Sequence, residues 1–164
     1  MRPPLRNLGG HAQFYLFMNW FQSLYSDSNR PIYDVLGRRV LFDQEPLLDD
    51  CAHVCYGGTN NRAYKEEFWD QKRAERIAWI ERALIAPTKI HPDSIYKDRH
   101  KYLLFLGPDD HKTQDNEFYC VIVRVINPFT VAFLTAYPID QKTFDRYAQI
   151  PPRIYPPSKK KKKR

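Results

Sequence analysis

The chain lacks the features of a membrane or secreted protein. No apolar run approaches the roughly 18 residues that a membrane-spanning helix needs. The N-terminus, MRPPLRN, has neither the apolar stretch nor the small-residue cleavage site of a secretory signal. Cysteine is scarce, and Cys51, Cys55 and Cys120 are an odd number that does not suit a disulfide framework. We therefore expect a cytoplasmic protein with no membrane contact.

Motifs for cofactors are also missing. The sequence contains no glycine-rich phosphate loop, no Walker motif and no GxSxG nucleophile elbow. The run CAHVC at 51–55 does not have the spacing of a common zinc site, and no second close pair follows it. We predict no cofactor and no metal. His53 is instead a candidate general base, because imidazole titrates near neutral pH; the alternative is a surface or capping histidine.

Positive charge is concentrated at the C-terminus. Residues 153–164 carry seven bases and no acid, which leaves the rest with 26 − 7 = 19 bases against 19 acids. The basic pI is therefore a property of the tail. We predict electrostatic binding of nucleic acid by Lys159, Lys160, Lys161, Lys162, Lys163 and Arg164. A nuclear-import signal and a merely solubilising end are the alternatives.

Apolar patterning predicts an α+β fold, with an N-terminal helix or helices packed on a four-stranded antiparallel sheet. Residues 43–62 are expected to form a long polar loop. The expected elements are helices at 11–25 and 63–85 (with Asn61 as its cap), short strands around Gly37 at 32–42, an edge strand at 88–96, and strands at 101–106, 117–126 and 130–137.

Three parts are expected along the chain: an aromatic N-terminal helix in 1–30, a compact α+β domain in 31–140, and a disordered proline-rich and polylysine tail in 141–164. Apolar residues surround the helix at 11–25 rather than forming a stripe. This pattern indicates burial or contact with a partner subunit. After Pro138 the chain is expected to be extended.

Arg73 and Arg76 are predicted to lie within the apolar face of the helix at 63–85, since that face recurs at about 100° per residue. A guanidinium in such a position must find acceptors. One interpretation pairs these arginines with an internal carboxylate such as Glu45 or Asp49, or lets them reach water at the edge of the face. The other leaves them for a phosphate, which the fork of the arginine side chain suits.

Polar side chains also interrupt the strands. Arg124 interrupts one face of the strand at 117–126, and the alternative for it is a strand-end or edge position. Alternation predicts that Thr135 and Tyr137 share a face with Val131 and Phe133. These two hydroxyls would form a polar cluster with the helix arginines on one side of the sheet, unless each only bonds to the backbone.

Several motifs carry a family resemblance over residues 38–138. They are GRRVLF and AHVCY, the helix RAERIAWIERALIAP, the strand FYCVIVRVI and the terminal FLTAYP. This order resembles the barnase–EndoU–colicin–RelE superfamily of metal-independent ribonucleases, especially its phage-associated branch. The resemblance implies a helix followed by a four-stranded antiparallel sheet with RNA bound on the concave sheet face. It also implies attack of the ribose 2′-hydroxyl on the adjacent phosphate.

The resemblance also implies residue roles. His53 would be the base or the acid, and Arg73 with Arg76 would clamp the phosphate. Thr135 and Tyr137 would position the phosphate or donate a proton. Arg124 and Lys101 are further expected contacts to nucleic acid.

Two functional hypotheses follow. The first is a metal-independent endoribonuclease of the toxin or effector type, with RNA as its substrate and an antitoxin or partner subunit bound through residues 11–25. The second is a non-catalytic RNA- or protein-binding module of a nucleoprotein complex. In that case the aromatic helix would contact the partner and the basic tail would contact nucleic acid.

Overall fold

The structure is a computed structural model that describes residues 2–27, 29–42, 47–57, 65–92, 100–107 and 117–148, with the side chains of 47–49, 92 and 148 left out. The helices are α1 (Phe14–Tyr25), α2 (Leu47–Cys55), α3 (Gln71–Ala74), α4 (Trp79–Ile85) and α5 (Gln141–Ala148). The strands are β1 (Arg39–Leu41), β2 (Lys89–Pro92), β3 (Lys101–Leu106), β4 (Phe118–Asn127) and β5 (Thr130–Ile139). Single 3₁₀ turns cover His11–Gln13 and Glu66–Phe68.

The five strands form one mixed sheet in the order β1-β5-β4-β3-β2. The α+β class is confirmed, but the prediction of a four-stranded antiparallel sheet is wrong. Strands β2 to β5 are antiparallel neighbours, whereas β1 pairs with β5 in parallel, with Val40 opposite Val131. A three-residue strand such as β1 gives little sequence signal, and its partner is distant in the chain.

The two faces of the sheet bury different cores. The helix-facing core includes residues of α1, α2 and α4 together with Tyr119, Val121 and Val123 of β4. The second face carries a smaller cluster around Phe105 and Phe118, and α5 packs on it. The rings of Phe118 and Phe144 stack there with centroids 4.0 Å apart.

Two segments that were expected to lack regular structure contain helices. The polar loop predicted at 43–62 is wrong over Leu47–Cys55, which forms α2. The chain after Pro138 was expected to be extended, yet Gln141–Ala148 forms α5. Asp140 begins that helix by accepting the amide of Thr143 at 2.7 Å, and hydrogen bonds from Thr143 lower the pKa of Asp140.

The predicted long helix at 63–85 is wrong over the described residues 65–70, since α3 begins at Gln71, and the rest is broken into α3 and α4 by two side chains. Arg76 Nη1 donates to the carbonyl of Lys72 at 2.6 Å, so the Arg76 amide bonds instead to Arg73 O. The Tyr25 hydroxyl donates to Ile77 O at 2.6 Å and accepts from Glu81 N at 3.2 Å, where an α-helix would join those two groups directly. Side chains inserted into the hydrogen-bond ladder interrupt helices in this way. Asn61, the predicted cap, lies outside the described residues.

A β-bulge changes which residues of β5 share a face. Ile122 lies opposite Thr135 and Val123 opposite Phe133, so Leu134 is an additional residue in β5. The prediction that Thr135 and Tyr137 share a face with Phe133 is therefore wrong. Both face the α5 side of the sheet.

Helix α1 buries one stripe, Phe17, Phe21 and Tyr25, at intervals of four residues. Tyr15 on another side is 55% exposed. The predicted burial of this helix is thus confirmed for one stripe only, and its role as a partner interface stays a prediction. No helix in the described ranges is long and apolar enough to cross a bilayer.

Candidate functional site

Arg73 lies across the C-terminal end of α2. Its Nη2 donates to the carbonyl of His53 at 2.7 Å, and its Nε donates to the carbonyl of Val54 at 3.0 Å. Nη2 also reaches the carbonyl of Ala136 in β5 at 3.3 Å. A cation suits this position because the last carbonyls of a helix carry partial negative charge. Arg73 therefore fixes the end of α2 against β5.

Asp70 places Arg73 for these contacts. It is the N-cap of α3, and its Oδ1 accepts the amide of Arg73 at 3.1 Å. The amide of Asp70 donates to the carbonyl of Cys55 at 2.9 Å, which ties the start of α3 to the end of α2. The backbone of Arg73 is thus held from two directions.

The second terminal nitrogen of Arg73 has a different environment. Nη1 makes no hydrogen bond within the part of the chain that the structure describes, and a Cβ at Gly57 would lie 3.7 Å from it. The side chain is half-buried, and burial lowers the pKa of Arg73, although a guanidinium stays protonated in proteins. Nη1 is therefore a charged donor to which an anion could bind.

Two hydroxyl-bearing residues of β5 complete this cluster. Thr135 Oγ1 donates to the carbonyl of His53 at 3.4 Å. The guanidinium carbon of Arg73 lies 5.5 Å from the ring centroid of Tyr137, within the range of a cation–π contact. The structure therefore brings together four of the five predicted catalytic residues, His53, Arg73, Thr135 and Tyr137, from α2, α3 and β5. All four are half-buried.

Arg76 does not belong to this cluster. Its Nε and Nη2 donate to Glu117 Oε2 at 3.0 and 2.7 Å, and Lys72 Nζ lies 2.9 Å from Glu117 Oε1. Arg76 and Glu117 are both almost fully buried. Of the two interpretations of the sequence, the internal ion pair is therefore the correct one for Arg76, and its carboxylate partner is Glu117. The predicted partners Glu45 and Asp49 have side chains outside the described residues.

Tyr119, which the sequence did not single out, lies between these two regions. Its hydroxyl is buried without a hydrogen-bond partner in the described part of the chain. Burial is the largest cause that raises the pKa of Tyr119, while the charges of Arg73 and Arg76 act in the opposite direction. The available signal was a tyrosine in an apolar strand, two residues after the acid Glu117 that precedes the strand.

His53 itself lies in the last turn of α2 rather than in a loop. The neighbouring thiols of Cys51 and Cys55 are buried with sulfur atoms 3.9 Å apart, and burial raises the pKa of Cys55. No group of three or more His, Cys, Asp and Glu side chains in the described ranges could hold a metal ion. The helical stripe of Leu47, Cys51, Val54 and Cys55 is the signal that could have identified α2.

The predicted nucleic-acid contacts lie elsewhere. Lys101 and Arg124 are neighbours on β3 and β4, and Arg124 is exposed near the end of its strand. Tyr137 pairs with Cys120 of β4, and Arg124 lies four residues further along that strand. The remaining predicted contacts, Lys159, Lys160, Lys161, Lys162, Lys163 and Arg164, lie outside the described residues.

No family model matches the chain, and neither a curated protein nor a solved structure matches it.

Proposed function

We propose that this protein is a metal-independent endoribonuclease whose site is formed by His53, Arg73, Thr135 and Tyr137. The observation that carries the proposal is that the side chains of Arg73, Thr135 and Tyr137 meet at the end of α2 that bears His53, with one donor nitrogen of Arg73 lacking a partner among the described residues. A titratable imidazole beside a fixed cation and two hydroxyls suits phosphoryl transfer, in which positioning and charge stabilisation do most of the work.

In the proposed reaction, the ribose 2′-oxygen forms a bond to the adjacent phosphorus, and the bond from phosphorus to the 5′-oxygen breaks. His53 accepts the proton of the 2′-hydroxyl, and the Tyr137 hydroxyl supplies a proton to the leaving 5′-oxygen. Arg73 Nη1 donates to the phosphate as negative charge develops, and Thr135 orients it. The products are a 2′,3′-cyclic phosphate and a free 5′-hydroxyl, and exchange with water restores both protonation states.

Arg76 has no part in this proposal. Its guanidinium is committed to Glu117 and to the carbonyl of Lys72. Separating Glu117 from Arg76 to bind a phosphate would deprive a buried carboxylate of its guanidinium partner, which is costly. One arginine is thus assigned to the site and the other to the fold.

A non-catalytic RNA-binding module is the second candidate. The observation that favours it is that the three hydrogen bonds of the Arg73 guanidinium among the described residues all go to backbone carbonyls. Such contacts would stabilise the end of α2 equally well in a protein that only binds. The two candidates therefore differ in whether the His53 ring is needed for a reaction.

The test is cleavage of a labelled single-stranded RNA by the full chain in excess EDTA. We expect products that end in a 2′,3′-cyclic phosphate, and no cleavage of the same strand with 2′-O-methyl groups. His53→Ala should lower kcat by about 100-fold or more, as expected for loss of a general base. Its fold should persist, because the backbone carbonyl of His53, not the ring, accepts from Arg73 and Thr135.

Arg82→Ala on α4 is the matched control, since this exposed arginine is outside the cluster. Its kcat should equal that of the wild type. Absence of metal-independent cleavage by the wild type, or equal activity of His53→Ala, would contradict the nuclease and favour the binding module.

A further inference from the structure

Two free thiols lie side by side in α2. Cys51 and Cys55 are fully buried, and their sulfur atoms are 3.9 Å apart. Both belong to the helix-facing core, whereas the third cysteine, Cys120, belongs to the cluster on the opposite face of the sheet. Because the sheet separates Cys120 from the other two, Cys51 and Cys55 are the pair that could react with each other.

A disulfide between these two residues is within reach, but it would strain the helix. Residues i and i+4 of an α-helix have Cα atoms about 6.2 Å apart, inside the range of about 4.4–6.8 Å that disulfides span. Their Cβ atoms are about 5–6 Å apart, whereas a disulfide needs about 4 Å. Bond formation would therefore distort the last turn of α2. A strained disulfide of this kind is easily reduced again.

The turn that carries the thiols also holds the proposed site. Arg73 donates to the carbonyls of His53 and Val54 at 2.7 and 3.0 Å. The amide of Asp70 donates to the carbonyl of Cys55 at 2.9 Å. A distortion of the last turn of α2 would move all three acceptors. The oxidation state of the thiols and the position of Arg73 are therefore coupled through one turn of helix.

The contacts of Arg73 also protect the thiols. Burial is the largest cause that raises the pKa of Cys55, so its reactive thiolate is rare while the helix is closed. An oxidant reaches the sulfur atoms when the end of α2 opens, and the hydrogen bonds from Arg73 oppose that opening. Coupling of this kind is reciprocal. Contacts that hold Arg73 should slow oxidation, and oxidation should weaken those contacts.

We propose that Cys51 and Cys55 form a reversible redox switch that controls how the end of α2 holds Arg73. The oxidant is a low-molecular-weight disulfide such as glutathione disulfide. One cysteine loses its proton, and its thiolate attacks a sulfur of the oxidant and expels one glutathione thiolate. The second cysteine thiolate attacks the mixed disulfide and expels the other. Two electrons pass to the oxidant, and its two thiolates take up the two protons that the cysteines release.

The chemistry of the thiol pair depends on the contacts of α2 alone, whereas its effect on cleavage rests on the proposed function. In the reduced protein, Arg73 is fixed and can contact a phosphate. In the oxidised protein, the carbonyls that fix Arg73 are displaced, so cleavage should fall. An odd number of cysteines does not suit a disulfide framework, but it is compatible with one reversible pair and a separate Cys120.

The first measurement incubates the full chain with glutathione disulfide and follows its intact mass. We expect the loss of two hydrogen atoms and a peptide map that joins Cys51 to Cys55. Dithiothreitol should restore the reduced mass. Cys51→Ala should not form this bond. Cys120→Ala is the matched control, because it removes a buried thiol from the opposite face of the sheet, and it should be oxidised at the rate of the wild type.

The second measurement compares the rates of oxidation of two arginine variants. Arg73→Met should be oxidised about tenfold faster or more, because loss of hydrogen bonds from a charged group favours local opening by at least this factor. Arg76→Met is the matched control, since Arg76 hydrogen-bonds to Glu117 and to the carbonyl of Lys72 rather than to α2. Faster oxidation of Arg76→Met than of Arg73→Met would mean that the thiols react only on global unfolding, and would overturn the proposal.

Hydrogen exchange measures the effect of oxidation on the end of α2. The amide of Asp70 donates to Cys55 O, and the amide of Gly57 donates to Phe68 O at 2.8 Å, so both amides should exchange faster in the oxidised protein. Unchanged exchange would contradict the switch. So would the absence of a bond between Cys51 and Cys55 at every ratio of oxidised to reduced glutathione.

RNA cleavage separates the switch from the proposed function. The oxidised wild type should cleave RNA at least about tenfold more slowly than the reduced protein, as expected when the donor that stabilises the phosphate is displaced. Cys51→Ala should cleave equally under both conditions. Equal cleavage by the oxidised and reduced wild type would refute the coupling to Arg73. A protein that forms the bond and shows faster exchange, but never cleaves RNA, would support the switch and overturn only the nuclease.

Discussion

The surroundings of Arg73 and Arg76 differ although the two residues are only three positions apart. Arg76 is buried against the carboxylate of Glu117, and its third contact, to the carbonyl of Lys72, lies within its own helical segment. Arg73 is half-buried, contacts carbonyls of α2 and β5, and keeps Nη1 without a hydrogen bond among the described residues. The sequence pattern of the two arginines is the same.

The difference shows that the hydrogen-bond acceptors around a buried arginine determine whether it only stabilises the fold or can also bind a ligand. A carboxylate neutralises the charge and leaves nothing for a ligand, whereas carbonyl dipoles hold the guanidinium but leave its net charge in place. Arg73 therefore combines a fixed position with a guanidinium that donates to no carboxylate among the described residues. This combination is what a phosphate site needs.

The largest expected effect is on stability at Arg76. Arg76→Ala removes the buried guanidinium partner of Glu117 and leaves the partly exposed Lys72 as its cationic contact among the described residues, so the free energy of unfolding should fall by about 3 kcal/mol or more. Urea unfolding followed by circular dichroism measures it. In the Arg76→Met/Glu117→Leu variant, most of this loss should be recovered, because no buried charge is left unpaired. An Arg76→Ala protein as stable as the wild type would show that the pair is not a structural contact.

A smaller loss is expected at Asp70, which places the backbone of Arg73. Removing an N-cap costs about 1 kcal/mol, so Asp70→Ala should lower stability by that amount, while Asp70→Asn keeps the side-chain acceptor and most of the stability. Cleavage should follow the same order, since the position of Arg73 depends on the cap. Equal cleavage rates for both variants and the wild type would show that the site does not need Asp70 to position Arg73.

The smallest effect, of opposite sign, is expected at Tyr119 between the two arginines. Its buried hydroxyl has no partner in the described ranges, and such a group costs free energy in the folded state. Tyr119→Phe should therefore raise the free energy of unfolding by about 1 kcal/mol or leave it unchanged, as a thermal melt would measure. A clear loss of stability would mean that the hydroxyl is hydrogen-bonded in solution.

The strands were the most predictable part of the fold. Short apolar runs located β3 at its observed bounds and β4 and β5 within two residues at each end, because these strands pack against a core on both faces of the sheet. The parallel pairing of β1 and the bulge at Leu134 were not predictable, because both depend on contacts between distant residues.

The candidate site was predictable in its residue types more than in its geometry. The sequence identified His53, Arg73, Thr135 and Tyr137, which meet in the structure, but it placed His53 in a loop. It also treated Arg76 as equivalent to Arg73. The partner of Arg76, Glu117, is 41 residues away in the chain, so only the tertiary structure distinguishes the two arginines.

The central claim is that Arg73 serves the site and Arg76 serves the fold. The most direct measurement is the rate of RNA cleavage in EDTA, per folded molecule, for the wild type, Arg73→Lys and Arg76→Lys. We expect the wild type to cleave RNA, Arg73→Lys to fold but lose most of its rate, and Arg76→Lys to lose stability while retaining its rate. Loss of rate in both variants to the same extent, or no cleavage by the wild type, would contradict the account.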